Sequence, residues 1–320
     1  MKKFVFPLVF GLTLSGYAVY SVLDTLVIPD PNAYAVEDEI EDTKAPDTEN
    51  AIIKSDEYSR YYKSDDLEVK ITKETVKTKD KDNGNLVDTI VFCADVHVSE
   101  MSHFRGRFAI RNGQPTFGVN IKSKTSEIAE NGNAIFAISG DNYAGRKEGY
   151  VVRNGKSRRD TPRKDKDADQ DLVIWNDGSF DIIKETETPL SEVMNNPLGA
   201  WQVFSFGPAL VVNSTIAVKN DDEITTGIAK TGGNQRSVLG IIEPLHYFIT
   251  VSEGRLPDSY GQSLYEAAEF IKSKGVKTAY NLDGGGSATI WFRGEVLNRP
   301  KDANVPGIGE REIGDAILFK

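Results

Sequence analysis

The pattern of apolar and polar residues is clearest in the last quarter of the chain. Residues 247–251 and 276–280 are runs of strand type, and residues 264–271 repeat apolar positions with a helical period. Residues 263–266 match a capping box before this helix, and Gly275 provides a stop after it. The pattern predicts a strand, a polar loop, a helix and a second strand.

The second strand leads into the stretch around which the chain is organised, Asn281-Leu282-Asp283-Gly284-Gly285-Gly286-Ser287. Three glycines between two strand-like runs permit positive φ and let a ligand approach the backbone closely. Polar side chains flank the glycines on both sides, which a simple hairpin turn does not require. Both loops of the unit follow the carboxyl ends of strands, where open α/β sheets bind ligands. We therefore predict a binding or catalytic loop here.

Shorter strand patterns precede this unit. Residues 89–98 and 133–138 are apolar strands, and Asn-Gly at 154–155 and Asp-Gly at 177–178 mark hairpin turns. These patterns predict an α+β fold with a mixed β-sheet core and few helices, preceded by one N-terminal membrane helix. The compact domain is expected to occupy residues 86–320.

Residues 1–28 begin with two lysines, which a long apolar segment follows. The length fits one membrane span, and the lysines favour a cytoplasmic N-terminus. We predict a signal-anchor that holds the protein at the cell membrane as a single-pass chain with its domain extracytoplasmic. The alternative is a cleaved signal peptide, because Ala-Tyr-Ala at 33–35 resembles a small-x-small cleavage site. Residues 29–85 are predicted to form an acidic linker and a charged lead-in.

Net charge and the numbers of cysteine and histidine residues argue against some classes of partner and site. The net charge of −10 argues against nucleic acid as a partner. The single cysteine, Cys93, lies in an apolar run, which predicts a buried residue and permits no intrachain disulfide. His97, His103 and His246 are scattered without metal-ligand spacing, so no metal site is predicted. No cofactor is predicted either, although carboxylates and Asn281 are oxygen ligands that suit a divalent cation.

The glycine-rich stretch at 281–287, together with Gly-Arg at 254–255 and Gly-Gln-Ser-Leu at 261–264, resembles the phosphodiester glycosidase family. The resemblance extends from about Val87 to the C-terminus. It implies a hydrolase that cleaves the C1–O bond of a sugar-1-phosphodiester and releases a sugar and a phosphate monoester. Bacterial members are often labelled exopolysaccharide-biosynthesis proteins. The implied partner is therefore a phosphoglycosyl-containing glycan, in a cell-surface or cell-wall glycopolymer or a glycoconjugate.

Two carboxylates are candidates for catalysis, Asp283 in the glycine loop and Asp141 after the strand at 133–138. Hydrolysis at a sugar C1 commonly uses such a pair. The family carries a string similar to Asn-Gly-Asp-Tyr-Tyr around Asp141, and this chain has Ser-Gly-Asp-Asn-Tyr at 139–143. Glu253 is a further carboxylate, and the sequence leaves open which of the three is the base.

Arg236 is the predicted phosphate ligand, because a guanidinium donates two parallel hydrogen bonds to phosphate. It matches the arginine of an Asn-Pro-Arg string in the family. Backbone N–H groups of the glycine loop are further donors for phosphate. The predicted substrate-binding and phosphate-binding residues are Arg236, Gly284, Gly285, Gly286, Ser287, Asn281, Arg255 and Tyr143. Arg311 could face the site or hold the last strand, and the sequence does not separate these roles.

Two alternatives stay open at this stage. The serine and asparagine at positions 139 and 142 depart from the family string, which is compatible with a non-catalytic surface glycan-binding or exopolysaccharide-assembly protein. The second alternative is a phosphodiesterase, which cleaves the P–O bond instead of the C1–O bond.

Overall fold

The computed structural model describes residues 13–19, 35–36, 50–164, 170–219 and 233–320. Strands dominate these residues, and the helices are few and short. The predicted sheet-dominated fold with few helices is confirmed. In chain order the strands are β1 (Ala35–Val36), β2 (Ile52–Ser55), β3 (Ser59–Lys63), β4 (Leu67–Lys79), β5 (Leu86–Val98), β6 (Phe104–Phe108), β7 (Ile110–Arg111), β8 (Gln114–Phe117), β9 (Phe136–Ser139), β10 (Val151–Arg153), β11 (Lys156–Arg159), β12 (Gln170–Trp175), β13 (Phe180–Lys184), β14 (Ala200–Phe204), β15 (Ala209–Val212), β16 (Thr215–Ile216), β17 (Ser237–Glu243), β18 (His246–Ser252), β19 (Thr278–Leu282), β20 (Ile290–Phe292), β21 (Glu295–Val296) and β22 (Asp315–Phe319). The helices are α1 (residues 13–19), α2 (Thr125–Asn131), α3 (Leu190–Met194) and α4 (Leu264–Ser273).

The predicted signal-anchor at residues 1–28 lies outside the described residues, apart from helix α1. Within the described part of the chain, no helix is both long enough and apolar enough to cross a membrane. The predicted linker lies outside the described residues up to residue 49, apart from strand β1. The extracytoplasmic location stays a prediction from the sequence.

The strands form one large sheet and three smaller ones, and neighbouring strands are antiparallel. The large sheet has nine strands in the order β16-β15-β19-β17-β18-β5-β4-β3-β2. Two five-stranded sheets have the orders β21-β20-β9-β22-β6 and β11-β10-β14-β12-β13, and a small sheet has the order β1-β8-β7. The hairpins predicted at 154–155 and 177–178 are present as β10–β11 and β12–β13.

The large sheet begins before Leu86, where the sequence places the beginning of the compact domain. Strand β4 pairs with β5 over its whole length, from Leu67 opposite Val98 to Lys79 opposite Leu86. Apolar residues of β4 at alternate positions are buried, while the intervening polar residues face outward. Residues 52–79 therefore belong to the sheet and are not a lead-in before it. Their charged composition reflects the solvated face of strands near a sheet edge.

The main core lies where the large sheet meets the two five-stranded sheets. Its buried members include Val69 and Ile249 from the large sheet, Ile138 and Ile317 from the second sheet, and Leu172 from the third. Helix α4 covers the other face of the large sheet with a separate apolar cluster. The sheets thus hold the ends of strands from different parts of the chain in fixed positions.

Helix α4 forms as its sequence predicts. The Ser263 side chain accepts a hydrogen bond from the Glu266 N–H at 3.1 Å, and the Glu266 carboxylate accepts one from the Ser263 N–H at 2.8 Å. The predicted apolar stripe is buried, and Gly275 follows the helix with φ of +87°. This helix connects strands β18 and β19, which lie on either side of β17 and run in the same direction.

Candidate active site

One edge of the large sheet brings together the ends of three neighbouring strands. Ser237, the first residue of β17, lies opposite Val251 of β18 on one side and Leu282 of β19 on the other. Strands β18 and β19 therefore end where β17 begins. The loops after β18 and β19 meet the segment before β17 here, as the strand–loop–helix–strand pattern predicts. We call this the glycine-loop edge.

Strand β9 of the second sheet ends at the same place. The Asp283 N–H donates to the Gly140 carbonyl at 3.1 Å, and the Ser139 hydroxyl donates to the Asp283 carbonyl at 3.3 Å. These bonds attach the loop after β19 to the loop after β9. The two predicted catalytic residues, Asp283 and Asp141, consequently lie in adjoining loops although 142 positions separate them.

The three glycines are required by close packing of the loop. The Gly285 N–H donates to the Gln235 carbonyl at 2.8 Å, and a Cβ on Gly284 would lie 2.5 Å from that same oxygen. Gly285 itself has φ of +58°, and a Cβ on Gly286 would lie 2.8 Å from a carboxylate oxygen of Asp302. The Gly285 N–H is therefore already bonded within the protein. The predicted contact between this loop's N–H groups and phosphate stays a prediction.

Asp283 lies at the base of this loop beside a partly exposed arginine. Arg311 places its Nη2 atom 3.3 Å from Oδ1 of Asp283 and 3.2 Å from the Gly284 carbonyl oxygen. Its Nε atom donates to the Ser287 hydroxyl at 2.9 Å, and its Nη1 atom donates to Asp302 at 3.2 Å. The Arg311 side chain remains 44 % exposed, whereas that of Asp283 is 8 % exposed. The guanidinium of Arg311 thus contacts the buried Asp283 on one side and is accessible to solvent on the other.

Burial decides the protonation tendency of Asp283. Removal of the carboxyl from water raises its pKa above the usual value, and the charge of Arg311 and the hydrogen bond of Ser287 only partly oppose this. The charge of Asp141 acts in the same direction as burial. A carboxyl with a raised pKa at a strand end is suited to hold and transfer a proton.

A second guanidinium lies against the glycine loop. Arg255, which has φ of +59°, donates from Nη2 to the Asn234 side chain at 2.6 Å and from Nη1 to the Lys301 carbonyl at 3.3 Å. A Cβ on Gly285 would lie 3.2 Å from its Nη1 atom. Burial and the nearby charge of Arg311 lower the pKa of Arg255, and Asp302 opposes them. Two arginines at one loop supply guanidinium donors of the kind that bind phosphate, beside the carboxylates of Asp283 and Asp302.

Arg236, the predicted phosphate ligand, has a different environment. It is buried at the beginning of β17, where its Nε atom donates to the Gln262 carbonyl at 3.0 Å. Its backbone N–H donates to the Ser252 hydroxyl at 2.9 Å. These bonds attach the residue before β17 to the end of β18 and to the loop before α4. The phosphate contact of Arg236 stays a prediction.

Glu253, the further carboxylate, is occupied by an ion pair. It is buried, and Arg299 donates to it from Nε at 3.1 Å to each carboxylate oxygen. The Arg299 backbone N–H also donates to Glu253 at 2.9 Å. The geometry gives Glu253 a structural contact and places Asp283 nearer to the exposed arginine.

Asp141 lies at the centre of a buried charge network. Its oxygens accept hydrogen bonds from Arg146 at 2.9 Å and from the Ser205 N–H at 2.7 Å, while the fully buried Arg153 lies 3.9 Å away. Burial alone would raise the pKa of Asp141, but Arg146 and Arg153 outweigh it and hold that pKa below the usual value. The Asp141 N–H donates to Asp315, whose pKa burial raises to about 6.

The remaining predicted binding residues are buried. Tyr143 packs in the core, and its hydroxyl donates to the Gly314 carbonyl at 3.1 Å. Asn281 donates from its side chain to the Gly207 carbonyl at 2.8 Å, while its Oδ1 atom is buried and has no hydrogen-bond partner among the described residues. Ser287 is also buried, with its hydroxyl on Arg311. The hydroxyl of Tyr143 is therefore already bonded within the protein, and its contact with substrate stays a prediction.

Sequence reasoning left Arg311 undecided and did not name Asp302. Both lie in the segment that follows the last hairpin, and Arg311 donates its N–H to the Gly286 carbonyl at 2.9 Å. Arg311 and Asp302 have no regular spacing from Asp283 along the chain. For Arg311 the sequence signal was the arginine that precedes a closing apolar strand in the family that the chain resembles, which does not by itself indicate a contact with Asp283. For Asp302 the sequence carries only a short polar stretch.

Comparisons with known proteins relate this chain to one family of sequences. The sequence profile of the phosphodiester glycosidase family matches residues 124–320. The chain is 22% identical over 286 residues to a Bacillus subtilis protein described as the SPbeta prophage-derived uncharacterized protein YomE, covering 87% of this chain and 41% of that protein. It is 27% identical over 127 residues to human N-acetylglucosamine-1-phosphodiester alpha-N-acetylglucosaminidase, covering 39% of this chain and 24% of that enzyme. The chain therefore spans less than half the length of these curated relatives.

A solved structure shares the fold. It is the catalytic domain of zebrafish N-acetylglucosamine-1-phosphodiester alpha-N-acetylglucosaminidase, auto-inhibited by its pro-peptide, with a TM-score of 0.63 and 19% sequence identity. The likeness covers 80% of this chain and 84% of that domain. At this identity the likeness supports the fold alone.

Proposed function

This chain belongs to the phosphodiester glycosidase family, and we propose that it hydrolyses a sugar-1-phosphodiester at the bond between the sugar C1 and the phosphate oxygen. Water supplies the hydroxyl group of the released sugar, and the phosphate leaves as a monoester. A phosphodiester is an anion under physiological conditions, so the site must provide positive charge near a group that transfers a proton. The glycine-loop edge provides both.

The observation that carries the proposal is the contact between Asp283 and Arg311. A buried carboxyl with a raised pKa lies 3.3 Å from a guanidinium that is still partly exposed. A phosphate seated on Arg311 and Arg255 would therefore lie next to a proton donor. Active sites commonly combine an acid with a raised pKa and a positive group that stabilises developing charge.

The reaction balances with these groups. As the C1–O bond lengthens, negative charge grows on the departing phosphate, and the guanidiniums of Arg311 and Arg255 stabilise it. Asp283 moves the proton that the exchange requires, either to the departing oxygen or from the attacking water. A phosphate monoester is a better leaving group than an alcohol. Stabilisation of its negative charge therefore lowers the activation barrier more than protonation by an acid does.

Asp141 enters the proposal as the ionised carboxylate behind Asp283. Its oxygens are occupied by Arg146 and by Ser205, so in this conformation it acts as a positioning residue for the β9 loop. Its negative charge also contributes to the raised pKa of Asp283. The opposite pKa shifts of the two carboxyls therefore leave Asp283 as the proton-transfer group and Asp141 as its ionised neighbour.

The finer description of the substrate comes from the sequence. The resemblance to bacterial family members and the predicted extracytoplasmic location support a glycopolymer or glycoconjugate at the cell surface. The sugar would occupy the solvent-exposed side of Arg311. A polymeric substrate also requires an open site, and the 44 % exposure of the Arg311 side chain is compatible with that requirement.

The test is hydrolysis by the full chain of UDP-N-acetylglucosamine, of a panel of other sugar-1-phosphodiesters and of cell-wall glycopolymer fragments. We expect release of free sugar by the native protein and a loss of about 10²- to 10⁴-fold in the Asp283→Asn variant, the range typical of a general acid or base. The matched control is Asp88→Asn, because Asp88 is 51% exposed on β5 and pairs with Lys77. This control should retain native activity.

Binding separates the enzyme from the non-catalytic alternative. If the native protein binds these glycans without releasing sugar, the glycan-binding interpretation replaces the proposed hydrolase. If both the native protein and the Asp283→Asn variant release sugar at the same rate, Asp283 is not the proton-transfer group.

A further inference from the structure

The end of the large sheet opposite the glycine-loop edge carries a cluster of three ionisable side chains. Asp95, His97 and His246 each present one ligand atom, and these atoms lie within 4.8 Å of one another. His246 is the first residue of β18, whereas Ser252 at the active-site end is its last residue. The cluster is therefore about 20 Å from the glycine-loop edge, at ~3.3 Å per strand residue.

Both imidazoles point the same nitrogen at the same oxygen. The Nε2 atom of His246 is 2.7 Å from Oδ1 of Asp95, and the Nε2 atom of His97 is 3.6 Å from that oxygen. The first distance is a hydrogen bond, and the second exceeds one. The rings of His97 and His246 are stacked with centroids 3.7 Å apart. Three ligand atoms thus converge at one place.

The backbone fixes this convergence. His246 and His97 are direct cross-strand partners on the paired strands β18 and β5, and Asp95 lies two residues before His97 on the same face. Side chains that point the same way from neighbouring strands keep their Cβ atoms close without any loop rearrangement. The site is therefore carried by the rigid part of the fold.

The surroundings carry charges of both signs. Glu68 of β4 is the cross-strand partner of His97, and it is bonded to Lys63 at 2.6 Å and to Tyr61 at 2.7 Å. Lys70 of β4 is the partner of Asp95, and Glu243 of β17 is the partner of His246. The lysines and the flanking carboxylates largely balance, so the ligand atoms of the cluster itself determine what it binds.

We propose that Asp95, His97 and His246 form a binding site for a divalent transition-metal ion of the zinc type, distinct from the glycine-loop edge. Two imidazole nitrogens and one carboxylate oxygen suit zinc, cobalt, nickel or copper, whereas magnesium and calcium prefer oxygen ligands alone. His97 is 51% exposed, so water can complete the coordination. The ion would link β5 to β18 and stabilise this end of the sheet.

The test is a titration of the untagged full chain with Co²⁺, followed by visible absorbance, and with Zn²⁺, followed by calorimetry. We expect saturable binding of one ion per chain. His97→Ala and His246→Ala should each weaken binding by at least about 100-fold, because even outer partners of metal ligands contribute about 10- to 100-fold. Asp95→Asn should weaken it less. Thermal unfolding of the native chain should shift upward with Zn²⁺.

The matched control is His103→Ala. His103 is the remaining histidine of the chain and bonds through Nδ1 to the Lys320 carbonyl at 2.6 Å, outside the cluster. The His103→Ala variant should bind the ion as the native chain does. Absence of saturable binding in the native chain overturns the proposal. So does binding that both cluster variants retain in full, with circular dichroism confirming that each variant is folded.

Discussion

Asp141 and Asp283 lie in adjoining loops and each contacts an arginine, yet the pKa values of the two carboxyls are shifted in opposite directions. Asp141 accepts hydrogen bonds from Arg146 and the Ser205 N–H and lies close to the buried Arg153. Its pKa is held below the usual value. Asp283 has one arginine neighbour at 3.3 Å, and its pKa is raised.

The difference shows that an arginine neighbour does not by itself fix the charge of a buried carboxyl. The guanidinium of Arg311 is shared among Asp283, Asp302, Ser287 and Gly284 and remains exposed to water, which screens its charge. Asp141 instead has several short donors in a dry environment, where each interaction is stronger. The carboxyl of Asp141 is thereby suited to a structural role, and that of Asp283 to proton transfer.

The largest effect is expected when the buried network loses a cation. Arg153 donates to Asp315 at 2.6 Å and lies 3.9 Å from Asp141. Arg153→Met therefore removes a positive charge from beside both buried carboxyls. An uncompensated buried charge typically costs about 3–5 kcal/mol, so the free energy of unfolding should fall by that amount in urea titrations. Arg60→Met is the control, because its pair with the exposed Glu295 should contribute under about 1 kcal/mol. Equal losses in both variants would contradict the role of the network.

The exposed pair should instead affect activity. Arg311→Gln removes the guanidinium that we expect to stabilise the departing phosphate, and kcat should fall about 10²- to 10³-fold, as for the loss of one donor to developing charge. Stability should fall less than in Arg153→Met, because water can reach the groups that the partly exposed Arg311 side chain leaves. Arg293→Gln, on an exposed hairpin turn, is the control and should retain native kcat. A fall of less than about threefold in the Arg311 variant would remove Arg311 from the mechanism.

A smaller effect is expected from the packing of the glycine loop. Gly284→Ala places a Cβ 2.5 Å from the Gln235 carbonyl oxygen, so one of the two backbone segments must shift. Overpacking of this kind costs about 1–3 kcal/mol in the free energy of unfolding. Gly309→Ala meets no atom within 4 Å and serves as the control. Equal stability of the two variants would show that the loop is less tightly held than the structure indicates.

The smallest expected effect is on how the free energy of unfolding depends on pH. Because the folded pKa of Asp283 is raised, its proton stabilises the folded protein below the unfolded pKa of about 4, and this contribution is lost as pH rises through the folded pKa. Asp283→Asn should therefore gain stability relative to the native chain as pH rises. Asp141→Asn should show the opposite sign, because the folded pKa of Asp141 is lowered. Urea titrations at several pH values measure the free energy of unfolding of both variants relative to the native chain. If both differences changed with pH in the same direction, the two carboxyls would not have opposite pKa shifts.

The local part of this architecture could be predicted from the sequence. The capping box at Ser263 and the apolar stripe of α4 depend on residues three and four positions apart, so periodicity and helix-end chemistry suffice. The glycine loop was likewise identified because three glycines and polar neighbours lie in succession. The same local reasoning placed both candidate carboxylates at strand ends.

Contacts between distant strands could not be predicted in this way. Arg311 reaches Asp283, and His246 stacks on His97, because of pairings that no spacing along the chain encodes. Strand β4 seemed charged and peripheral in sequence, but its apolar residues at alternate positions pack into the main core. These contacts follow from the order of strands in the large sheet.

The central claim is tested most directly by hydrolysis of a sugar-1-phosphodiester in water labelled with heavy oxygen. The native chain and the Asp283→Asn variant would be compared, and the mass of each product measured. Unlabelled phosphate monoester, formed only by the native chain, is the result that the account predicts, because water then attacks C1 with the help of Asp283 and the phosphate keeps its own oxygens. Label in the phosphate, or equal release by the variant, would contradict it.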